Sequence, residues 1–432
     1  NIMLYSDGEL NIEMTETVQS LKEVTVSATR NQNLKRTEMG IENLNIKTIK
    51  NIPSAMGEAD VLRAVLTIPG VKTVGEASTG FNVRGSAADQ NLILFNDAVI
   101  YNPAHLFGFF SAFNPDILKD VQLYKSSIPA SYGGRLASVL DITSKEGNKK
   151  KFSGSGGIGL VTARLTLETP IVEDKTSIMV SGRANYSNWI LKRLDNEAYS
   201  NSKAGFYDLN LGISHQIDEK NDLFINGYFS QDNFRFKYDT TYAYNNSNAS
   251  IRWKHLFNDK LVANFSGSYS AYNFNLESER NPATAYLLDY SIEQEHIKAD
   301  FNYYYNIRHS FTFGISSIHY SLQPGSFNPN SQESLVIPEV LEQERALESA
   351  LYFSDKYAIT SDLTLDAGIR FSIFNVLGPK TVYTYADDQP KSQFTRTDTL
   401  SESGIVKTYL GPEIRVSLRY RLGDRSSIKV GY

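Results

Sequence analysis

From Phe152 to the last residue, Tyr432, apolar and polar residues alternate with a period of two. No other feature constrains the chain as much, because only an extended strand sends successive side chains to opposite faces. In 363–373 the positions Leu363, Leu365, Ala367, Ile369, Phe371 and Ile373 are apolar, and Thr364, Asp366, Gly368, Arg370 and Ser372 between them are not. Leu261, Ala263, Phe265, Gly267, Tyr269 and Ala271 alternate in the same way with Asn264, Ser266, Ser268 and Ser270. Near the end Ile414, Val416, Leu418, Tyr420 and Leu422 alternate with Arg415, Ser417, Arg419 and Arg421, which puts three arginines on one face of one strand. Each such strand has a dry face and a wet face.

A soluble sandwich alternates too, and the connections separate the two cases. Short polar turns stand near 172–175, 218–222, 258–260, 306–308, 360–362 and 423–425. Segments rich in Asn, Ser, Tyr, Pro and charge run over 188–203, 237–247, 277–292, 323–344 and 375–407. Loops of that length are uncommon in compact soluble domains. Alternating short and long connections are the mark of an outer-membrane barrel, with tight turns on the periplasmic side and long loops outside. The 26 Tyr and 23 Phe against 2 Trp and 5 Met favour strands and aromatic girdles. No stretch approaches the roughly 18 to 20 apolar residues of a membrane helix; Leu92 to Tyr101 is broken by Asn96 and Asp97. About 13 strands are predicted, from near Phe152 to Ser426–Tyr432, whereas bacterial single-chain barrels close with even numbers. A barrel wide enough to hold a folded domain has about 22 strands. The expected fold is therefore an all-β transmembrane barrel of about 22 strands when complete, with about 13 present here and roughly nine lacking.

The remaining composition narrows the function by exclusion. A net charge of −5 argues against a nucleic-acid binder, and Lys149-Lys150-Lys151 is too short for a basic patch. The absence of Cys removes disulfides and thiolate chemistry. The histidines His105, His215, His255, His296, His309 and His319 have no metal-ligand spacing, no nucleophile elbow or phosphate loop is present, and Gly154-Ser155-Gly156-Gly157 sits at the first wall strand. No enzyme, cofactor or metal is expected. The chain opens with Asn1-Ile2-Met3-Leu4 and no signal peptide, as expected of a processed or truncated end.

Ahead of the alternating region, 31–147 mixes short helical and strand patterns, as a small α+β domain does. Pro69-Gly70 ends a helical stretch and turns the chain, Gly85 follows Arg84, and Gly133-Gly134 permits a tight path after Tyr132. Several short motifs follow in order: Leu62-Arg63-Ala64-Val65-Leu66, Ile68-Pro69-Gly70-Val71, Phe81-Asn82-Val83-Arg84-Gly85, Leu94-Phe95-Asn96-Asp97, Val121-Gln122-Leu123-Tyr124-Lys125, Ala130-Ser131-Tyr132-Gly133-Gly134-Arg135 and Val139-Leu140-Asp141-Ile142-Thr143-Ser144-Lys145. In that order and spacing they resemble the plug domain of the TonB-dependent outer-membrane receptors. Upstream, the core Glu23, Val24, Thr25, Val26, Ser27 and Ala28 of segment 21–30 resembles their TonB box, an extended peptide suited to strand addition. Residues 1–20 read as an N-terminal extension or the tail of a preceding domain, 31–147 as the plug and 148–432 as an incomplete barrel.

The resemblance implies an N-terminal α+β plug in the barrel lumen and a place in the bacterial outer membrane, with the plug accessible from the periplasm. It implies TonB of the inner-membrane energising complex and outer-membrane lipid as partners, a small ligand such as a metal chelate, oligosaccharide or peptide, and possible pairing with a surface lipoprotein. Energy would arrive through Glu23–Ala28. Arg84 and Arg135 are expected to meet carboxylates of the barrel wall, as plug arginines of the family do. Tyr101, His105, Phe107, Phe109 and Phe110 form an aromatic-rich loop that either faces the ligand or packs the plug on the barrel. The alternative function is a non-transporting receptor or a subunit of a larger surface assembly.

Overall fold

The structure, a computed structural model, describes residues 36–52, 57–75, 80–237, 240–392 and 394–432. The segment 23–28 and the extension 1–20 lie outside these residues.

The first domain is built on a five-stranded sheet in the order Ile41–Asn43, Leu118–Tyr124, Ser138–Ser144, Asn91–Phe95 and Ala98–Val99. Asn91–Phe95 runs parallel to Ser138–Ser144, and the other pairs are antiparallel. Two short helices cover it, each started by a side-chain cap. Asn45 accepts from the Lys47 amide ahead of Ile46–Asn51, and Asp60 from the Arg63 amide ahead of Val61–Leu66. Their inward residues Ile49, Val61 and Val65 meet Phe81, Phe113, Leu123, Leu140 and Ile142 in one core. At Gly70 the chain turns back with φ at 83°, in the left-handed region that glycine favours.

The wall is a meander in which thirteen strands, from Ser153–Ile158 to Ser426–Gly431, pair with their sequence neighbours, and a two-residue strand, Glu339–Val340, joins at its upper margin. The strand count and the short turns agree with the pattern in the sequence. Alternation now has a spatial meaning. Leu209, Ile251, Ile315, Leu351, Ile369 and Ile414 are exposed on the outer face, while Ser177, Ser181, Ser230, Ser270, Thr364, Arg370 and Ser417 are buried on the inner one. An apolar exterior with a polar interior suits lipid outside and a plug inside. Near the short turns, rings stack across neighbouring strands: Trp253 on Phe265 at 5.1 Å, Phe301 on Phe313 at 5.2 Å and Phe311 on Phe353 at 5.6 Å. No helix among the described residues is long and apolar enough to cross a membrane.

The long connections need correction. Thr240–Asn258 and Tyr286–Tyr304 have 19 residues each and His309–Pro329 has 21, well over the span of a bilayer, so much of 240–247, 286–292 and 323–329 is paired strand and not loop. The segment 375–407 contains its own hairpin, Lys380–Tyr385 with Arg396–Glu402. Beyond the membrane both faces of a strand are wet, and backbone pairing continues without an apolar face to announce it.

Candidate functional site

The candidate functional region is the contact between plug and wall. Arg183, on the wall strand Thr176–Asn185, stands in register with Asp208 on Lys203–Asp218. Its Nε donates to Asp208 Oδ2 at 2.7 Å, its Nη1 to Glu58 Oε1 of the plug at 2.8 Å, and its Nη2 to the Ser111 carbonyl at 2.7 Å. His105 comes from the plug into the same cluster, with Nδ1 2.7 Å from Asp232 Oδ2 and Nε2 3.4 Å from Asp208 Oδ2. Asp232 Oδ1 also accepts from the Leu106 amide at 2.9 Å. The side chains of these five charged residues are at most 4% exposed. Burial pulls the His105 pKa down, and the two carboxylates outweigh it, so the net shift is upward.

Aromatic packing closes the same side. His105 stacks on Phe206 at 4.1 Å, and Phe110 meets that ring at 5.2 Å. Phe107 inserts edge-on between Phe234 and Tyr242, at 5.1 and 5.6 Å. Tyr101 donates to Gln294 Oε1 at 2.7 Å, and Phe109 alone of the five loop residues is exposed. The aromatic loop therefore packs the plug on the wall, with His105 and Phe110 buried.

Further ion pairs tie the two parts together. Asp116 binds Lys50 Nζ and Arg164 Nε at 2.7 Å each, and Asp97 meets Arg252 at 3.3 Å. Burial raises the Asp116 pKa, but the two cations outweigh it and hold it below the usual carboxylate range. Asp141 accepts from the Tyr132 hydroxyl at 2.7 Å; burial, then repulsion from Asp97, push it up to about 6.

The arginines expected to reach the wall do not. Arg84 is exposed with φ at 53°, Arg135 is half-buried with Nη1 on the carbonyl of its neighbour Gly134, and neither forms an ion pair among the described residues. Around Ile128–Ala130 the cations come from the wall, while Lys145 of the plug pairs with Glu168 of the wall at 3.2 Å. Arg415 donates to the carbonyls of Ile128, at 3.0 Å, and Pro129, and Arg370 reaches the Ala130 carbonyl at 3.4 Å. Both lie in the wet register already visible in the sequence. Pro69 accepts from Lys125 Nζ through its carbonyl, and Gly85 and Gly134, like Gly70, take positive φ. Gly133 matters for space: a Cβ there would stand 2.3 Å from Arg370 Nε.

A barrel wall holding an α+β plug by buried charges defines a class. Residues 33–139 match the family model for the TonB-dependent receptor plug domain. No curated protein matches the chain. Among solved structures it is similar to the copper transporter OprC, with TM-score 0.66 and 12% identity over 91% of this chain and 63% of that one. It is also similar to the ferric-catecholate import receptor Fiu of E. coli K12 in its open form, with TM-score 0.65 and 13% identity over 92% of this chain and 70% of that one. A third is the ferric citrate transporter FecA in the unliganded form, with TM-score 0.63 and 12% identity over 92% and 62%. The chain thus spans 63% of the length of the first of these. It carries the plug domain of the TonB-dependent receptors and has their fold, a plug within an outer-membrane β-barrel wall, and the neighbours so named are transporters and receptors.

Proposed function

We propose that this protein imports a scarce small ligand across the bacterial outer membrane, with TonB supplying mechanical energy through Glu23–Ala28. The observation that carries this reading is a folded plug seated in the wall by polar contacts that a directed pull can break. Glu38, close after the box in sequence, bonds Lys356 at 3.3 Å and, through its carbonyl, Lys429 Nζ at 3.2 Å, beside the short turns that follow Ala358 and Gly423. Short turns mark the periplasmic end of such barrels, so Glu38 lies at that end. The β-prone residue types at Val24, Thr25 and Val26 suit strand addition to a partner sheet. The ligand is bound by extracellular loops and plug apices. A metal chelate is the first candidate, supported by the copper and ferric-catecholate proteins among the structural neighbours.

The test is capture of the full-length protein from outer membranes by the purified periplasmic domain of TonB, wild type against a Val24→Pro, Val26→Pro double substitution. Capture by wild type and its loss on substitution are expected. Capture unchanged by the prolines, or absent from both proteins, rejects the reading.

A further inference from the structure

Three cavities stand along one side of the plug and share walls. The upper one, about 690 Å³, lies between Gly134–Leu136 and wall residues that include Leu322, Glu348 and Glu413. The middle one, about 70 Å³, shares Gly134, Arg135 and Tyr320 with it and adds Tyr132, Lys298 and Arg370. The lower one, about 290 Å³, shares Ser131 and Tyr132 with the middle one and reaches Ser310, Ser354 and Lys356. Ser310 and Lys356 stand next to the short turns after Tyr304 and Ala358, so this cavity lies at the periplasmic end. A single plug segment, 127–136, lines all three in order.

The series narrows at Arg370. Its guanidinium is buried, yet its contacts are long: 3.4 Å to the Ala130 carbonyl, 3.2 Å to Ser316 Oγ, and 3.8 Å to each of Glu348 and Glu413. Its Nε has no hydrogen-bond partner. Arg183, on the other side of the plug, makes three bonds of 2.7 or 2.8 Å. A buried guanidinium so loosely held, with carboxylates within reach above it, needs little reorganisation to swing aside. The absence of a Cβ at Gly133 is what lets plug and arginine close on each other.

We propose that the ligand crosses on this side, along segment 127–136, with Arg370 as the gate. The proposal rests on the import reading and names the route that import takes. The opposite side also has a lower cavity, about 210 Å³, but Asn96 and Ser144, bonded to each other and to the wall through Asn226, line it. Above it stand the buried charges around Arg183.

Residues 1–432 hold no cysteine, and with any cysteine elsewhere in the full-length protein replaced by serine, one introduced thiol reports alone. Ser354→Cys places it in the lower cavity of the route, and Asn264→Cys in the cavity across the plug, each close to the periplasmic end of its strand. Cells carrying the full-length protein are treated from outside with a membrane-impermeant sulfonated maleimide, with and without TonB. Labelling of Ser354→Cys about tenfold faster with TonB, and no change at Asn264→Cys, is expected. A TonB-dependent rise at both positions, or at Asn264→Cys alone, overturns the route while leaving TonB-driven opening in place. No rise at either, in protein that TonB still captures, overturns the route too. Loss of capture is read separately, in the experiment of the previous section, and points to the import reading. Adding Arg370→Ala is expected to speed labelling of Ser354→Cys without TonB, and no such gain overturns the gate.

Discussion

The plug meets its wall in two ways. Toward the strands between Thr162 and Ser278 the contact is closed above a cavity of about 210 Å³, with His105, Glu58, Arg183, Asp208 and Asp232 buried and rings packed around them. Toward the strands between Tyr286 and Gly423 the contact is wet and loose, with cavities along 127–136 and long bonds at Arg370. Charged residues bridge plug and wall on both sides, so charge alone does not decide how firmly the plug is held. What differs is whether water can replace the partner. A buried ion that loses its partner keeps its full desolvation penalty, whereas one beside a cavity is rehydrated.

That contrast is sharpest in a pair of arginine deletions. Arg183→Ala leaves Glu58 and Asp208 buried without their cation, and a loss of about 3–5 kcal/mol in plug seating is expected. Arg370→Ala leaves Glu348 and Glu413 next to open space, and a loss of about 1–2 kcal/mol is expected. Native-state hydrogen exchange of amides near Ser111 and Ala130 in the full-length protein reads the two sides separately. Equal losses would mean that the sides are alike.

The barrel was legible because a period of two translates directly into faces, and Ile369 outside and Arg370 inside follow from it without further information. Turns such as 258–260 and 306–308 were legible for the same reason, as polar breaks between alternating runs. Strand length was not, since Thr240–Asn258 opens on Thr240-Thr241-Tyr242-Ala243-Tyr244-Asn245-Asn246, a stretch that looks like a loop yet is paired along both edges. The plug was legible through its motif order. The charged cluster was hidden because Arg183 and Asp208 meet only through strand register, and His105 joins them only once the plug is inside. A cation in the wet register opposite an acid on the next strand was the available signal.

A smaller effect separates the sides by pH. Asp141, bonded to Tyr132 on the wet side and near Asp97, has its pKa raised from 3.8 to about 6. The folded state therefore holds a proton that the unfolded state releases, and stability falls as pH rises from about 4 to about 6, by on the order of 1–3 kcal/mol. His105, facing Asp232, Asp208 and Arg183, has its pKa raised above 6.5, so its contribution is complete below that pH and lost only as pH rises through the higher value. Exchange near Tyr132, corrected for its intrinsic pH dependence, should quicken in the lower window, and exchange near His105 only in the upper one. Asp141→Asn should remove the first response and keep the second. A common window for both would show the plug opening as one unit.

The smallest effect is expected at Arg135, the plug arginine that the sequence reading sent to a wall carboxylate. Arg135 follows Gly133 and Gly134 in the plug, but its Nη1 bonds only the adjacent Gly134 carbonyl and its side chain borders the upper cavity. Glu348, the acid within reach, already accepts from the Tyr320 hydroxyl at 3.1 Å and stands 3.8 Å from Arg370. Arg135→Ala should therefore change plug seating by less than about 0.5 kcal/mol, the range of a solvated surface charge. A loss of about 2 kcal/mol or more would mean that Arg135 holds Glu348 in place of Arg370. The wet side would then be locked by a cation from the plug, and the difference between the two sides would lie in which partner supplies the cation.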